Sequence, residues 1–282
     1  NSGLPDPGDT SVSSAGDIAL SAISMAEIDA LTIGGAIAVG ASGGGSGYAG
    51  AGTGAAAYNK IENTIESFIK GVGSITSENG DLMLTATDSA AIVAYAIGGS
   101  IAVGASGTST GGALSIGVSI AHNTISNKAL AYIDNSALAG ADNTIVLNAE
   151  DVSLIATSMD TIDALSIAAS IAVGASAKTG VALSGGGSES TNIILTKTNA
   201  YILDTDLETA GDVVLEARNA SDITAKVITG SLSVGAGGTT GVAASVGASL
   251  ARNLIGWDAD GIQKPAEVQA YVKNSSIHTQ GD

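Results

Sequence analysis

The hexapeptide IAVGAS occurs at 37–42, 101–106 and 171–176, and a variant, LSVGAG, follows at 232–237. Successive copies therefore begin about 60 to 70 residues apart, and such near-constant spacing is the signature of a repeat architecture. Other markers keep the same order around each copy, among them a Gly-Asp pair before an alternating apolar stretch, as in GDIALSA, GDLMLTA and GDVVLEA. Markers that keep one order through four copies predict an array of similar structural units.

The markers divide the chain into four repeats. They place repeat 1 at 16–79, repeat 2 at 80–142, repeat 3 at 143–210 and repeat 4 at 211–280. Residues 1–15 are interpreted as a leader, a linker or the end of a preceding repeat. The Gly-Asp pair at 281–282 is interpreted as the start of a further repeat, so we expect a segment of a longer array.

Side-chain size alternates with period two on both sides of each hexapeptide. From Val93 to Ala105 the odd positions are mostly Val, Ile or Tyr, and the even positions are Ala, Gly or Ser. The stretch 113–121 alternates in the same way after a short turn-forming run, GTSTGG. Period two is typical of strands, and the turn chemistry suits a hairpin. The sequence therefore predicts an all-β, repetitive β-solenoid, similar to a β-helix, with a long β-hairpin in each repeat.

The two faces of such a hairpin have different packing possibilities. The branched aliphatic face can pack on another sheet at the usual spacing of about 10 Å. The Ala/Ser/Gly face has few side-chain atoms, so a second backbone layer could approach it unusually closely, or it could stay hydrated. Both possibilities for the small face remain open at this stage, as does the partner of the aliphatic face.

The first repeat departs from the common pattern. In AAAYNKIENTIESFIKGV, the residues Tyr58, Ile61, Ile65 and Phe68 have helical spacing. Alignment with the other repeats instead predicts a return strand followed by a short strand. We expect strands here, with a local helix as the alternative.

Composition limits the classes of function. The formal net charge is −17, which argues against nucleic acid as a partner and against anionic lipid surfaces. The absence of cysteine excludes disulfides and thiolate metal sites. The uncharged run at 89–127 is long enough to span a membrane as a hairpin, but it lacks the aromatic girdles of membrane strands, which disfavours insertion.

One acidic segment is a candidate cation site. Asp258 and Asp260, with Glu267 downstream, resemble part of a calcium loop, but Lys264 and Pro265 interrupt it. We interpret the segment as a surface turn, with a Ca²⁺ site as the alternative. No other metal or cofactor is predicted, and no catalytic constellation is found, so we expect that the chain is not an enzyme.

An asparagine recurs at a shared place after the second arm of each hairpin. These asparagines are Asn63, Asn123, Asn192 and Asn253. Stacked asparagine side chains can hydrogen-bond along a solenoid, or asparagine can simply favour a turn. One copy per repeat implies several coils between neighbours, so both interpretations stay open.

The segment ALSIGVSIAHNTISNKALAYIDNSAL, together with GDVVLEARNASDITA in a later repeat, resembles repeat regions of very large secreted bacterial surface proteins. These include haemagglutinin-like and autotransporter-like adhesins. The resemblance extends over nearly the whole chain. It implies an extended β-solenoid that is secreted or lies at the cell surface and serves as a stalk, adhesin or matrix fibre.

These observations lead to an expected function. The chain is predicted to be a non-enzymatic structural segment of an extracellular bacterial fibre or giant adhesin, forming a load-bearing stalk or a self-associating filament. Its partners would be other copies or neighbouring repeats of the same protein, and cell-surface or matrix components. A membrane-inserting or pore-forming β-hairpin protein is the alternative. A carbohydrate-active β-helix, which would need carboxylates clustered in a cleft, comes third.

Overall fold

A computed structural model describes residues 11–135, 144–264 and 266–279. Residues 1–10 of the predicted leader, residues 136–143 where repeats 2 and 3 join, and the predicted further repeat at 281–282 lie outside the described residues. The secondary structure of the described residues is built from strands. The segment with helical spacing in repeat 1 forms two strands, so its helical alternative is wrong.

The described strands repeat in groups of five, and each group makes one coil. Coil 1 contains β1 (Ser11–Ser14), β2 (Ile18–Ser24), β3 (Glu27–Ser42), β4 (Gly47–Ile61) and β5 (Thr64–Lys70). Coil 2 contains β6 (Ser74–Ser77), β7 (Leu82–Asp88), β8 (Ala91–Ser106), β9 (Thr110–Ile125) and β10 (Lys128–Asp134). Coil 3 contains β11 (Thr144–Asn148), β12 (Val152–Ser158), β13 (Thr161–Ser176), β14 (Thr179–Ile194) and β15 (Lys197–Leu203). Coil 4 contains β16 (Asp206–Thr209), β17 (Val213–Asn219), β18 (Asp222–Gly237), β19 (Thr240–Ile255) and β20 (Val268–Lys273), and β21 (Ser276–Thr279) follows it.

Each strand pairs in parallel with the equivalent strand of the next coil. The pairing gives five sheets, one for each strand position in the coil. The long strands β8 and β13 stay in register over their whole length. Ala91 pairs with Thr161 at one end, and Ser106 pairs with Ser176 at the other. The predicted all-β solenoid is therefore confirmed. Each repeat makes one coil, which corrects the expectation that several coils separate neighbouring copies of a motif.

The three sheets of short strands form the body of the solenoid. Their inward side chains meet in one apolar core, which includes Ile75, Leu84, Ile133, Leu154 and Ile202, all fully buried. Equivalent positions in successive coils carry similar aliphatic residues, because each residue stacks on its counterpart in the next coil. A second apolar cluster, which includes Ile92, Ile125 and Ile162, packs the base of the long strands.

The two long strands of each coil extend from the body as a blade. We call the sheet of β3, β8, β13 and β18 the front sheet, and that of β4, β9, β14 and β19 the back sheet. At about 3.3 Å per residue, such a strand reaches roughly 50 Å. The two arms follow one another through a short turn, as the sequence predicts for a hairpin, yet they do not pair with each other. Each arm pairs with its own sheet, and the arms pack face to face as a β-arch.

The small faces of the two arms point inward and the aliphatic faces point outward. Ala94, Ala96 and Ala102 of the front sheet and Ser115 and Ser119 of the back sheet are buried between the layers. The layers are so close that a methyl group added at an inward glycine would overlap the backbone of the opposite arm. These glycines include the Gly of each hexapeptide copy: Gly40, Gly104, Gly174 and Gly235. The small face is therefore dry, and the two layers pack closer than the spacing of about 10 Å that is usual between sheets.

Buried serines join the two layers of the blade. The Ser119 hydroxyl lies 2.7 Å from that of Ser166 and 2.9 Å from that of Ser188, and Ser188 also donates to the Ser166 carbonyl at 2.8 Å. Near the middle of the blade, the hydroxyls of Ser100 and Ser115 lie 2.7 Å apart. Buried hydroxyls cost free energy unless they are paired, so these contacts fix how the arms align.

Candidate functional site

Among the residues that the structure describes, the outer face of the front sheet is a regular exposed apolar surface. Because the strands are in register, equivalent aliphatic residues form three ridges that run along the solenoid axis. The first ridge is Ile33, Ile97, Ile167 and Ile228; the second is Ile37, Ile101, Ile171 and Leu232; the third is Val39, Val103, Val173 and Val234. In the inner coils Ile101 and Ile171 are 37% and 36% exposed, whereas Ile37 in the first coil is 76% exposed because a coil covers it on one side only. Contiguous exposed apolar surface of this kind marks an interaction site.

A furrow separates the first and second ridges. Its floor is a row of small residues in register: Gly35, Gly99, Ala169 and Gly230. The furrow is about 610 Å³ in volume and is lined on one side by Ile37, Ile101 and Ile171. No described atom lies within 4 Å of a methyl group added at Gly35, Gly99 or Gly230. These glycines are thus not required by contacts within the chain.

The outer face of the back sheet is less regular. Leu114, Ile116 and Val118 of β9 are exposed there, but glycines replace two of their counterparts in β14, at Gly185 and Gly187. Closer to the body, this face carries charge. A single oxygen of Glu189, Oε1, accepts from Arg252 Nη2 at 3.1 Å and lies 3.4 Å from His122 Nε2. Burial alone would raise the pKa of Glu189, but the hydrogen bonds from Arg252 and Thr191 lower it below its usual range.

Three of the four recurrent asparagines stack at the base of the blade. Asn123 Nδ2 donates to Asn192 Oδ1 at 2.8 Å, and Asn192 Nδ2 donates to Asn253 Oδ1 at 3.0 Å. The placement of Asn63 in this series is wrong. Asn59 occupies the position in coil 1 and donates to Asn123 Oδ1 at 2.8 Å, whereas the Asn63 backbone donates to Asn127 Oδ1. The step between the first two IAVGAS copies, from 37 to 101, also leads from Asn59 to Asn123.

Replacing Asn192 with alanine is expected to lower the free energy of unfolding by about 1–3 kcal/mol, because the fully buried amide of Asn123 loses its acceptor. Urea unfolding followed by circular dichroism measures this loss. Asn253→Ala is the comparison, because Asn253 is exposed and the amide of Asn192 keeps the Ser190 hydroxyl as a second acceptor at 3.1 Å. A loss at Asn253 as large as that at Asn192 would contradict a buried ladder.

The structure does not assemble the predicted cation site. Asp258 and Asp260 lie in a connection between β19 and β20 that is much longer than the connection between β14 and β15. The Asp258 carboxylate accepts from the backbone amides of Asp260 and Ile262, as in an ordinary turn. Glu267 instead accepts from Lys197 Nζ at 2.9 Å. Within the described ranges, no three His, Cys, Asp or Glu side chains form a group that could hold a metal ion.

A buried acidic pair, which the sequence analysis missed, lies where the blade joins the body. Asp88 accepts from Asn127 Nδ2 at 2.6 Å, and Asp160 accepts from Thr196 Oγ1 and from the Ala90 amide. Both carboxyl groups are fully buried. Burial, followed by the nearby charge of Asp160, raises the pKa of Asp88 to about 6. Because solvent does not reach the pair, it cannot act on a sugar chain.

An aromatic stack runs along the outer face of the sheet that contains β5, β10, β15 and β20. Phe68, Tyr132, Tyr201 and Tyr271 have ring centroids 5.1, 4.8 and 5.1 Å apart with nearly parallel planes. The inner rings cover each other's faces, so they do not offer a flat platform to a ligand. Burial raises the pKa of all three tyrosines, which keeps them neutral. The recurrence of AYI, AYV and SFI at one coil spacing is the sequence signal for this stack.

The fold and its exposed faces define a parallel β-solenoid with five strands per coil and a thin two-layered blade. Comparisons with known protein families, curated proteins and solved structures find no match to the chain. Within the described segments, no helix has the length and hydropathy needed to cross a membrane.

Proposed function

We propose that the chain is a non-enzymatic structural segment of an extracellular bacterial fibre or large adhesin. The observation that supports this most is the continuous pairing of the five sheets. The long strands stay in register from one coil to the next over their whole length, so force along the solenoid axis is shared by many backbone hydrogen bonds. The resemblance of its repeats to those of secreted surface proteins supports a location outside the cell. The exposed blade is the surface for lateral association.

Solution scattering on the isolated chain tests this role. A compact protein of 282 residues has a radius of gyration of about 19 Å. Because the blade extends roughly 50 Å from the body, we expect a clearly larger value, together with laterally associated particles in electron micrographs. A radius of gyration close to the compact value, with isolated round particles, would contradict the proposal. Turnover of a neutral or acidic glycan would replace it with the carbohydrate-active alternative.

The outward aliphatic faces also favour a second candidate, a membrane-inserting or pore-forming protein. Both outer layers of the blade carry exposed branched side chains, including Ile37 and Ile116. This candidate predicts dye leakage from vesicles of zwitterionic lipid, which do not repel the −17 charge as anionic lipid does. The structural role predicts intact vesicles and a protein that stays in the aqueous phase. Leakage that depends on protein concentration would favour the membrane role.

A further inference from the structure

We infer that the front face of the blade is a self-association surface, on which a second copy of this chain packs with its blade reversed. In this pairing the second ridge of each copy lies in the furrow of the other. The inference rests on the proposed structural function and identifies the partner of the exposed blade. A twofold axis parallel to the solenoid axis relates the copies, so the contact is isologous and coil faces coil.

The main support for this pairing is the order in which rows of large and small residues follow one another along the front sheet. Reversing one blade places the Ile37 row of each copy over the Gly35 row of the other, and both contacts form at once because of the twofold axis. The same alignment places the row of Leu31, Tyr95, Leu165 and Lys226 opposite the row of Ala41, Ala105, Ala175 and Ala236. The first and third ridges then face each other across an ordinary sheet spacing. Large rows thus meet small rows in two places.

The available area is close to what a stable pair needs. From residue 31 to residue 41 the face extends roughly 36 Å, and four coils extend roughly 19 Å along the axis, at about 3.3 and 4.8 Å per step. The footprint is therefore roughly 700 Å² per copy. A typical specific interface buries about 800 Å² on each partner. Each further coil would enlarge it.

Charge is arranged to fit the reversed blade. The base of the front sheet carries Asp29, Asp163 and Asp222, which lie outside the apolar ridges. The tip of the blade in coil 3 carries Lys178. Reversal places the tip of one copy over the base of the other, so Lys178 lies near Asp163 of the second copy. The net charge of −17 repels the two copies as a whole, so screening by salt is expected to strengthen the pair.

Filling the furrow with an apolar side chain distinguishes this specific pairing from nonspecific hydrophobic association. Gly99→Leu makes the front face more hydrophobic but removes the space that receives the second ridge. Gly187→Leu is the matched control on the back face, since a methyl group added there also meets open space. Sedimentation equilibrium from about 1 to about 100 μM measures dissociation constants in the relevant range. We expect a dimer for the unmodified chain and for Gly187→Leu, and at least tenfold weaker association for Gly99→Leu.

A second variant tests the same contact independently, in case Gly99→Leu does not fold. Ile37→Glu places a charge on the second ridge, and it is also expected to dissociate the dimer. The inference is overturned if the unmodified chain is monomeric at about 100 μM, if Gly99→Leu strengthens association or leaves it unchanged, or if only Gly187→Leu weakens it. A monomer with a large radius of gyration would refute the pairing alone, whereas a compact monomer would refute the proposed structural function as well.

Discussion

Replacing Gly104 with alanine is expected to lower the free energy of unfolding by about 3 kcal/mol or more, at the upper end of overpacking effects. Gly104 belongs to the second IAVGAS copy and faces the backbone of Gly112 across the blade. A methyl group at this position would overlap the Gly112 carbonyl oxygen and carbon. Backbone atoms cannot rotate away as a side chain can, so the two layers would have to separate and lose their dry contact. Urea unfolding monitored by circular dichroism measures the change.

The control for this experiment lies on the same strand. Gly99 points outward from β8, and an added methyl group there meets open space. Gly99→Ala makes the same replacement of a strand glycine by alanine, but without a clash. It is expected to leave the free energy of unfolding unchanged or to raise it by about 0.4–1 kcal/mol. Equal losses for Gly99→Ala and Gly104→Ala would show that the close packing of the blade does not determine stability.

Raising the pH from 4 to 8 is expected to destabilise the protein through Asp88. The pKa of Asp88 is about 6 in the folded state and about 3.9 in an unfolded chain. Between these values the unfolded state loses a proton that the folded state keeps, so the free energy of unfolding falls, and above about pH 6 the loss is constant. At about 1.4 kcal/mol per pKa unit, the loss is on the order of 3 kcal/mol.

Asp88→Asn should remove this pH dependence and stabilise the protein at pH 8. The asparagine carbonyl can accept from Asn127, as Asp88 does, and its amide can donate to the Asp160 carboxylate. Asp212→Asn is the matched control, because it removes one negative charge from an exposed position outside the blade. Thermal unfolding at pH 4, 6 and 8 compares the three proteins. If Asp212→Asn flattens the profile as much as Asp88→Asn, general charge repulsion is the cause and the buried pair is not.

The strands and the repeat spacing could be predicted because period two and fixed spacing can be read directly from the chain, whereas the number of coils in each repeat could not. The direction of each face could not be predicted in the same way. Ile37 and Val39 alternate with Ala38 and Gly40, and burial of either row is compatible with the alternation. Close backbone approach at Gly40 makes the small row the buried one. A glycine repeated on the small face is the signal that would favour this choice.

The misplaced asparagine has an equally specific cause. Asn63-Thr64-Ile65 repeats the tripeptide Asn123-Thr124-Ile125, so local identity aligns Asn63 with Asn123. Register along the long strands instead aligns Asn59 with Asn123. Asp88 and Asp160 escaped the sequence analysis for a different reason. Asp88 faces Ser158 of the next coil, so Asp160 lies two residues beyond the position equivalent to Asp88. No shared motif therefore marks the two aspartates as neighbours.

One coil per repeat has a consequence for how the protein uses its length. Each coil consumes a whole repeat and advances a fibre by a single strand spacing, about 4.8 Å. An α-helix of about 65 residues would advance about 100 Å. A filament of these coils would therefore be broad and present a large lateral surface for its length, while each repeat would add very little reach. We expect a fibre built from this unit to be short for its mass, and to connect to its surroundings mainly through its sides.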